Sequence, residues 1–168
     1  MATVTGKGQK MHTLGDLPAV GFRAPDFELT KIDLSPARLS DYSGKKIDMN
    51  IFPSIDTSTC ATSVRQFNKE AAGLKNTVVL CISKDLPFAQ RRFCGAEGIE
   101  NVIMLSDFRD GNFGKAYQVE FTDSPMRTLL SRSVVVLDDT GQVRYTEQVA
   151  DTGMEPNYKA ALLALKND

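Results

Sequence analysis

The stretch Asn76-Thr77-Val78-Val79-Leu80-Cys81-Ile82-Ser83 most limits what this chain can become. A short run that is apolar at consecutive positions belongs to a strand buried on both faces. Such a strand needs helices above and below its sheet. Val102-Ile103-Met104-Leu105 and Val134-Val135-Val136-Leu137 repeat the pattern downstream. Before the first run the period changes: Val64, Phe67, Ala71 and Leu74 share one helical face, ended by Gly73 and Asn76.

The remaining segments fit around that frame. Thr3-Val4-Thr5 and Met11-His12-Thr13-Leu14 predict a hairpin turning through Gly6 to Gln9. Asp26 to Thr30 reads as a strand, residues 32–39 as a short strand or loop, and residues 40–46 as a turn with one helical turn before Gly44. Lys46 to Phe52 is a strand with Ile47, Met49 and Ile51 on one face; Asp48 and Asn50 on the other predict contact with water or polar partners. Asp85 is placed to cap a helix that has Pro87 in its first turn, runs to Cys94, and breaks at Gly95 and Gly98. A short helix at 113–117 and a loop around Pro125 follow. A strand from Ser131 to Asp138 then turns through Asp139 to Gln142 and returns to Val149. Tyr158, Ala161, Leu162 and Leu165 stripe a closing helix. Together these elements predict an α/β chain: a central mixed β-sheet flanked by helices, with an N-terminal β-hairpin, in a single domain over residues 1–168.

Composition narrows the function classes. Basic and acidic residues, 20 and 21, are interspersed for a net charge of −1, which argues against a nucleic-acid tail or a polybasic membrane patch. No apolar run is long enough to span a bilayer. The first twenty residues lack the continuous apolar core of a secretory signal, so the expected location is cytoplasmic. Cys60, Cys81 and Cys94 make an odd count, unlike a secreted disulfide scaffold. The only histidine is His12, no C-x-x-C occurs, and no ligand spacing suggests a metal.

Chemistry concentrates where Asn50-Ile51-Phe52 leads through Pro53 and a polar turn into Cys60. A cysteine at a helix start meets unpaired backbone N–H groups and the positive end of the helix dipole, both of which favour a thiolate. An ordinary thiol is only about 3% thiolate at pH 7, so such an environment matters. The Thr57 hydroxyl is near enough in sequence to reach the sulfur, and an arginine could add fixed charge; Arg65 and Arg132 both qualify. Arg132, at the mouth of a buried strand, is either a solvated edge or a site group. Cys81, inside its strand, reads as a small core residue. Cys94 reads as sitting at a frayed helix end, where local opening is cheap. A disulfide from there to Cys60 would restrict the unfolded chain by about 4 kcal/mol, enough to offset unwinding of a turn or so. The other reading of Cys94 is simple helix packing.

Phe52-Pro53-Ser54-Ile55-Asp56-Thr57-x-x-Cys60 resembles the P-x-x-x-T-x-x-C motif of peroxiredoxins. Ala24-Pro25-Asp26-Phe27 and Leu39-Ser40-Asp41-Tyr42-x-Gly44-Lys45 are similar to their N-terminal region. Asp85-Leu86-Pro87-Phe88-Ala89-Gln90-x-Arg92-Phe93-Cys94-Gly95 is similar to the bacterial thiol peroxidase branch, an atypical two-cysteine class. The resemblance implies a thioredoxin-like fold and reduction of hydrogen peroxide and alkyl hydroperoxides. It implies Cys60 as peroxidatic cysteine, Cys94 as resolving cysteine, and a Cys60–Cys94 intramolecular disulfide. It implies that Thr57 binds thiolate and peroxide, that Pro53 shields the thiolate, and that Arg132 polarises sulfur and peroxide oxygen. Thioredoxin would be the reductant, the assembly a homodimer, and no metal or organic cofactor would be needed. Two rivals differ in chemistry. A protein-to-protein oxidoreductase would carry C-x-x-C, where this chain has Thr57 in the first cysteine's place. A peroxide sensor would use the same cysteines but pass oxidation to a partner protein.

Overall fold

The computed structural model describes residues 1–166. The first hairpin comprises β1 (Thr3–Gly6) and β2 (Gln9–His12). Its turn is Lys7-Gly8, both at positive φ (49° and 79°), a backbone matched to the twist of a two-residue hairpin. The sheet takes β3 (Glu28–Lys31), β4 (Pro36–Arg38), β5 (Lys46–Ile51), β6 (Thr77–Ser83), β7 (Ile103–Ser106), β8 (Ser133–Leu137) and β9 (Val143–Gln148). The helices are α1 (Ser58–Ala71), α2 (Pro87–Glu97), α3 (Asn112–Ala116) and α4 (Tyr158–Lys166), with a 3-10 turn over Leu39–Tyr42.

Strand order is β4-β3-β7-β6-β5-β8-β9. β5, β6 and β7 run parallel; β8 pairs antiparallel with β5, and β3 with β7. The mixed sheet follows from the connections. α1 and α2 supply the crossovers that parallel neighbours require, whereas Asp138 to Gln142 closes a tight hairpin between β8 and β9.

Side chains alternate between two cores. Ile47, Met49, Ile51, Leu80 and Ile82 face one, with Phe113 and Tyr117 stacked at 4.3 Å. Val79, Cys81, Val134 and Val136 face the other, against Val64 and Phe67 of α1 and Ala161 and Leu165 of α4. Phe67 meets Tyr158 edge-on at 5.1 Å, which joins the two helices.

Three local expectations change. Asp48 and Asn50 do not meet water; both are fully buried under α1 and α4, and of the two expected alternatives only the polar partner is found, for Asn50. Asn50 is satisfied on one side only: its Nδ2 donates to Ser63 Oγ at 3.1 Å and approaches Cys81 Sγ at 3.8 Å, while its Oδ1 has no partner among the described residues. Asp48 has no hydrogen-bond partner among the described residues. Asp85 does not cap α2; Leu86 holds the N-cap position and Pro87 is the first helical residue. Gly95 does not break α2 either. The helix runs to Glu97 and stops at Gly98, whose left-handed backbone (φ 64°) suits a residue without Cβ.

Burial raises the Asp48 carboxyl to about 7, because nothing compensates a charge there. An unfolded carboxyl titrates near 3.9. Between these values the folded protein holds a proton that the unfolded chain has released. Stability therefore falls as pH rises through the window and levels off above it. The expected slope is at most about 1.4 kcal/mol per pH unit. Asp48→Asn should flatten this dependence in urea unfolding at pH 5 to 8 and make the protein more stable than wild type at pH 8. An unchanged slope would count against a protonated Asp48.

Candidate active site

β5 ends where Phe52 makes one last ladder bond, its N–H donating to Ile82 O at 3.1 Å. Pro53 follows, buried, and cannot extend the ladder. The turn closes with Thr57 N–H on Ser54 O at 3.2 Å. Thr57 is the N-cap residue of α1 in extended backbone, but its exposed side chain makes no cap bond. Its hydroxyl donates instead to Ser54 O at 3.0 Å. The first N–H groups of α1 thus have no side-chain cap, and Cys60 is the third residue of that helix. From below, Ser63 Oγ donates to Cys60 O at 2.7 Å and accepts from Asn50, which ties the first turn of α1 to β5.

Arg132 enters from the end of β8. Only 2% of it is exposed. Nη2 donates to Thr152 O at 2.9 Å, while Nε and Nη1 have no partner among the described residues. A guanidinium so enclosed seeks acceptors. It lines a cavity of about 540 Å³ together with Pro53, Thr57, Thr59, Met126 and Lys7 of the hairpin. Pro53, Thr57 and Arg132 thus line one cavity. Cys60 follows Thr59 directly and is itself fully enclosed.

Arg65 goes elsewhere. It forms a two-pronged ion pair with Glu97 (3.0 and 2.9 Å) and lies over the Phe93 ring, clamping α1 to the last turns of α2. His12 pairs with Asp123 at 2.6 Å and fixes the hairpin to the loop before Met126. That partner was invisible in sequence because it lies in a distant loop. The backbone carbonyl of Thr152 and the cavity residue Met126 carried no sequence signal.

All three cysteines are free thiols. Cys60, Cys81 and the half-buried Cys94 belong to one apolar cluster. Cys94 lies inside the last turn of α2 rather than at a frayed end, and its carbonyl accepts the N–H groups of both Gly98 and Ile99. Burial pushes its thiol above the usual range. Burial acts far more strongly on Cys81, which is wholly enclosed in the sheet.

The family model described as Redoxin matches residues 19–162. The thiol peroxidase of Mycobacterium bovis is 53% identical over 165 residues, covering 98% of this chain and 99% of that one. The chain belongs to the redoxin family, among its thiol peroxidases. The thiol peroxidase of Corynebacterium glutamicum is 50% identical over 98% of this chain and 99% of its own. A peroxiredoxin-like protein from Aquifex aeolicus has the same fold, with a TM-score of 0.92 and 34% identity over 98% of this chain and 95% of that one. The fold of this family member is thus thioredoxin-like, and its activity is that of a peroxiredoxin-type oxidoreductase.

The thiols should differ in reactivity. In the native, reduced protein Cys81 should resist a maleimide for hours and react only on unfolding, as peptide mass spectrometry after timed quenching would show. Rapid native labelling of Cys81 would mean that the β6 region opens.

Proposed function

We propose that this thiol peroxidase reduces hydrogen peroxide and alkyl hydroperoxides through Cys60, and that Cys94 resolves the oxidised intermediate. The observation that carries the reading is the buried Arg132, with two N–H-bearing nitrogens free, in the cavity bounded by Pro53 and Thr57 at the helix start that bears Cys60.

A peroxide enters the cavity with its oxygens toward Arg132. The Cys60 thiolate attacks the nearer oxygen; a sulfur–oxygen bond forms as the oxygen–oxygen bond breaks. The leaving oxygen takes a proton and departs as water or an alcohol, and Cys60 becomes a sulfenic acid. Arg132 stabilises charge developing on the leaving oxygen. The Thr57 hydroxyl gives up its bond to Ser54 O to donate to the thiolate, and its oxygen accepts from the peroxide O–H. Pro53 keeps water from the thiolate side. Met126 and Pro53 give the cavity apolar wall, which suits an organic hydroperoxide as well as hydrogen peroxide.

Resolution requires Cys94 to leave its half-buried place. Its thiol then attacks the sulfenic sulfur, the disulfide forms, and the hydroxyl leaves as water with the thiol proton. Thioredoxin reduces the Cys60–Cys94 bond by exchange, each of its two thiols giving one electron equivalent. The acting unit is the whole thioredoxin-like chain, paired as a homodimer in the cytoplasm; among the described residues no helix is long and apolar enough to cross a membrane.

With thioredoxin and its reductase, Cys60→Ser should lose peroxide turnover by at least about a thousandfold. Cys94→Ser should consume one equivalent of peroxide and then recycle poorly, while Cys81→Ser should stay near wild type. Peptide mapping after one equivalent of peroxide should show a Cys60–Cys94 link within one chain. Turnover retained by Cys60→Ser would sink the assignment.

A further inference from the structure

Between the Cys60 turn and the Cys94 helix stands a carboxylate that the mechanism above does not use. Asp85 Oδ1 accepts from Ser54 Oγ at 2.7 Å. Its Oδ2 accepts from the Ile55 backbone N–H at 2.7 Å and from Ser83 Oγ at 2.6 Å. The backbone of Asp85 is fixed as firmly: its N–H reaches Ser83 Oγ at 3.3 Å, and its carbonyl accepts from Ser106 Oγ. Gln90, one turn into α2, donates to the same Ser83 hydroxyl at 3.3 Å and to Leu105 O at 3.0 Å. One residue thus joins the ends of β6 and β7, the start of α2, and the turn between Pro53 and Cys60.

The donors to this carboxylate are two hydroxyls and an amide, with no cation among them. Charge-assisted bonds to neutral donors, partly shielded from solvent, are stronger than neutral pairs and directional. Two other ties span the same gap. Asp56–Arg92 is long, at 3.4 Å, and both side chains are largely exposed; Arg65–Glu97 is also exposed. An exposed single-contact pair such as Asp56–Arg92 contributes little, and the two-pronged Arg65–Glu97 pair grips α1 beyond the turn rather than the turn itself. The buried Ile55 side chain anchors the turn from the other side, so the Ile55 N–H bond fixes backbone rather than a loose side chain.

We propose that Asp85 is a positioning residue that latches the Cys60 turn to the root of the Cys94 helix, holding the site closed for peroxide attack and opening for disulfide formation. The inference builds on the roles of Cys60 and Cys94 given above. Closed, the latch keeps Pro53, Thr57 and Cys60 in register with Arg132. For Cys94 to reach Cys60, the turn and α2 must move relative to each other, and the Ser54 and Ile55 bonds to Asp85 lie across that movement. A latch therefore has opposite effects on the two steps, whereas a residue that only supports the fold has effects of one sign.

The test follows each step after rapid mixing with stoichiometric hydrogen peroxide. Loss of the Cys60 thiol is read in a Cys94→Ser background, and disulfide formation in the parent chain, by quenched alkylation and mass spectrometry. Asp85→Ala should slow Cys60 oxidation about tenfold, the scale of a misplaced reacting group. It should also speed the sulfenic-to-disulfide step about tenfold, the scale of one lost tie, and reduce overoxidation by excess peroxide. Asp85→Asn, whose amide can accept from Ile55 and Ser83 and donate to Ser54 Oγ, should restore both rates to within about threefold. Ser54→Ala, which removes the Oδ1 tie alone and is the milder change if Asp85→Ala folds poorly, should shift both rates in the same directions by less. Rates that both fall, or that both stay at wild type, would overturn the latch. Absence of a Cys60–Cys94 disulfide in the parent chain would overturn the resolving role and the latch together; a normal parent disulfide with unaltered variant rates would overturn the latch alone.

Discussion

A guanidinium with almost no solvent contact and, among the described residues, one protein acceptor sets the terms for the rest of this molecule. Leaving part of a buried cation without partners costs several kcal/mol unless the surroundings hold it firmly. The scaffold here does so through a relay. Arg132 leans on Thr152 O, and Thr152 N–H is held by Thr5 O at 2.9 Å. Thr5 N–H in turn donates to Ala150 O at 2.8 Å, and its hydroxyl to Asp151 Oδ2 at 2.9 Å. The N-terminal hairpin is therefore a brace: it fixes the turn that fixes the arginine. It also brings Lys7 to the cavity wall. A two-stranded hairpin is too small to be stable alone, so it persists by packing Val4 and Met11 against Phe121 and by the His12–Asp123 pair.

The opposite wall of the cavity must satisfy a conflicting demand. In the proposed reaction the turn from Pro53 to Thr57 has to be rigid while a peroxide is bound and movable once sulfur is oxidised. Its rigidity comes from bonds made by small polar side chains: Thr57 on Ser54 O within the turn, Ser54 on Asp85 toward the root of α2, and Ser63 with Asn50 beneath α1. Each is modest alone. A set of modest bonds can open in sequence, which a deeply packed aromatic contact could not. The same logic explains the end of α2, where two N–H groups share the Cys94 carbonyl and a left-handed glycine finishes the helix.

Much of this architecture could be read from the chain because it depends on local pattern. The apolar run at 76–83 is β6, the period around Val64 is α1, and Asp139 to Gln142 is the β8–β9 turn. Pro53, Thr57 and Arg132 line one cavity, because strand ends and helix starts meet on one edge of such a sheet; for Arg132 the sequence alone leaves a solvated edge equally open. What the sequence hid depends on tertiary context. Asp48 looks like a water-facing residue until α1 and α4 cover it. Asp85 has the chemistry of a helix cap, but its carboxylate is drawn across the fold to Ser54 and Ile55. Gly95 looks like a breaker, yet one glycine costs a helix only about 1 kcal/mol, and α2 continues to a better stop at Gly98.

The three cysteines differ in their place in the fold, and that place sets how readily each thiol can be freed. Cys81 lies mid-strand, with β5 and β7 hydrogen-bonded on either side. Freeing it would break two ladders at once, so it stays with the cooperative core and opens only as the whole sheet does. Cys60 and Cys94 lie within a turn of helix ends, where opening severs only a few bonds. For the proposed disulfide they need no proximity in the reduced state. The cost of opening has only to be small beside the gain from the bond formed, and the ends of α1 and α2 suit that condition better than the middle of β6.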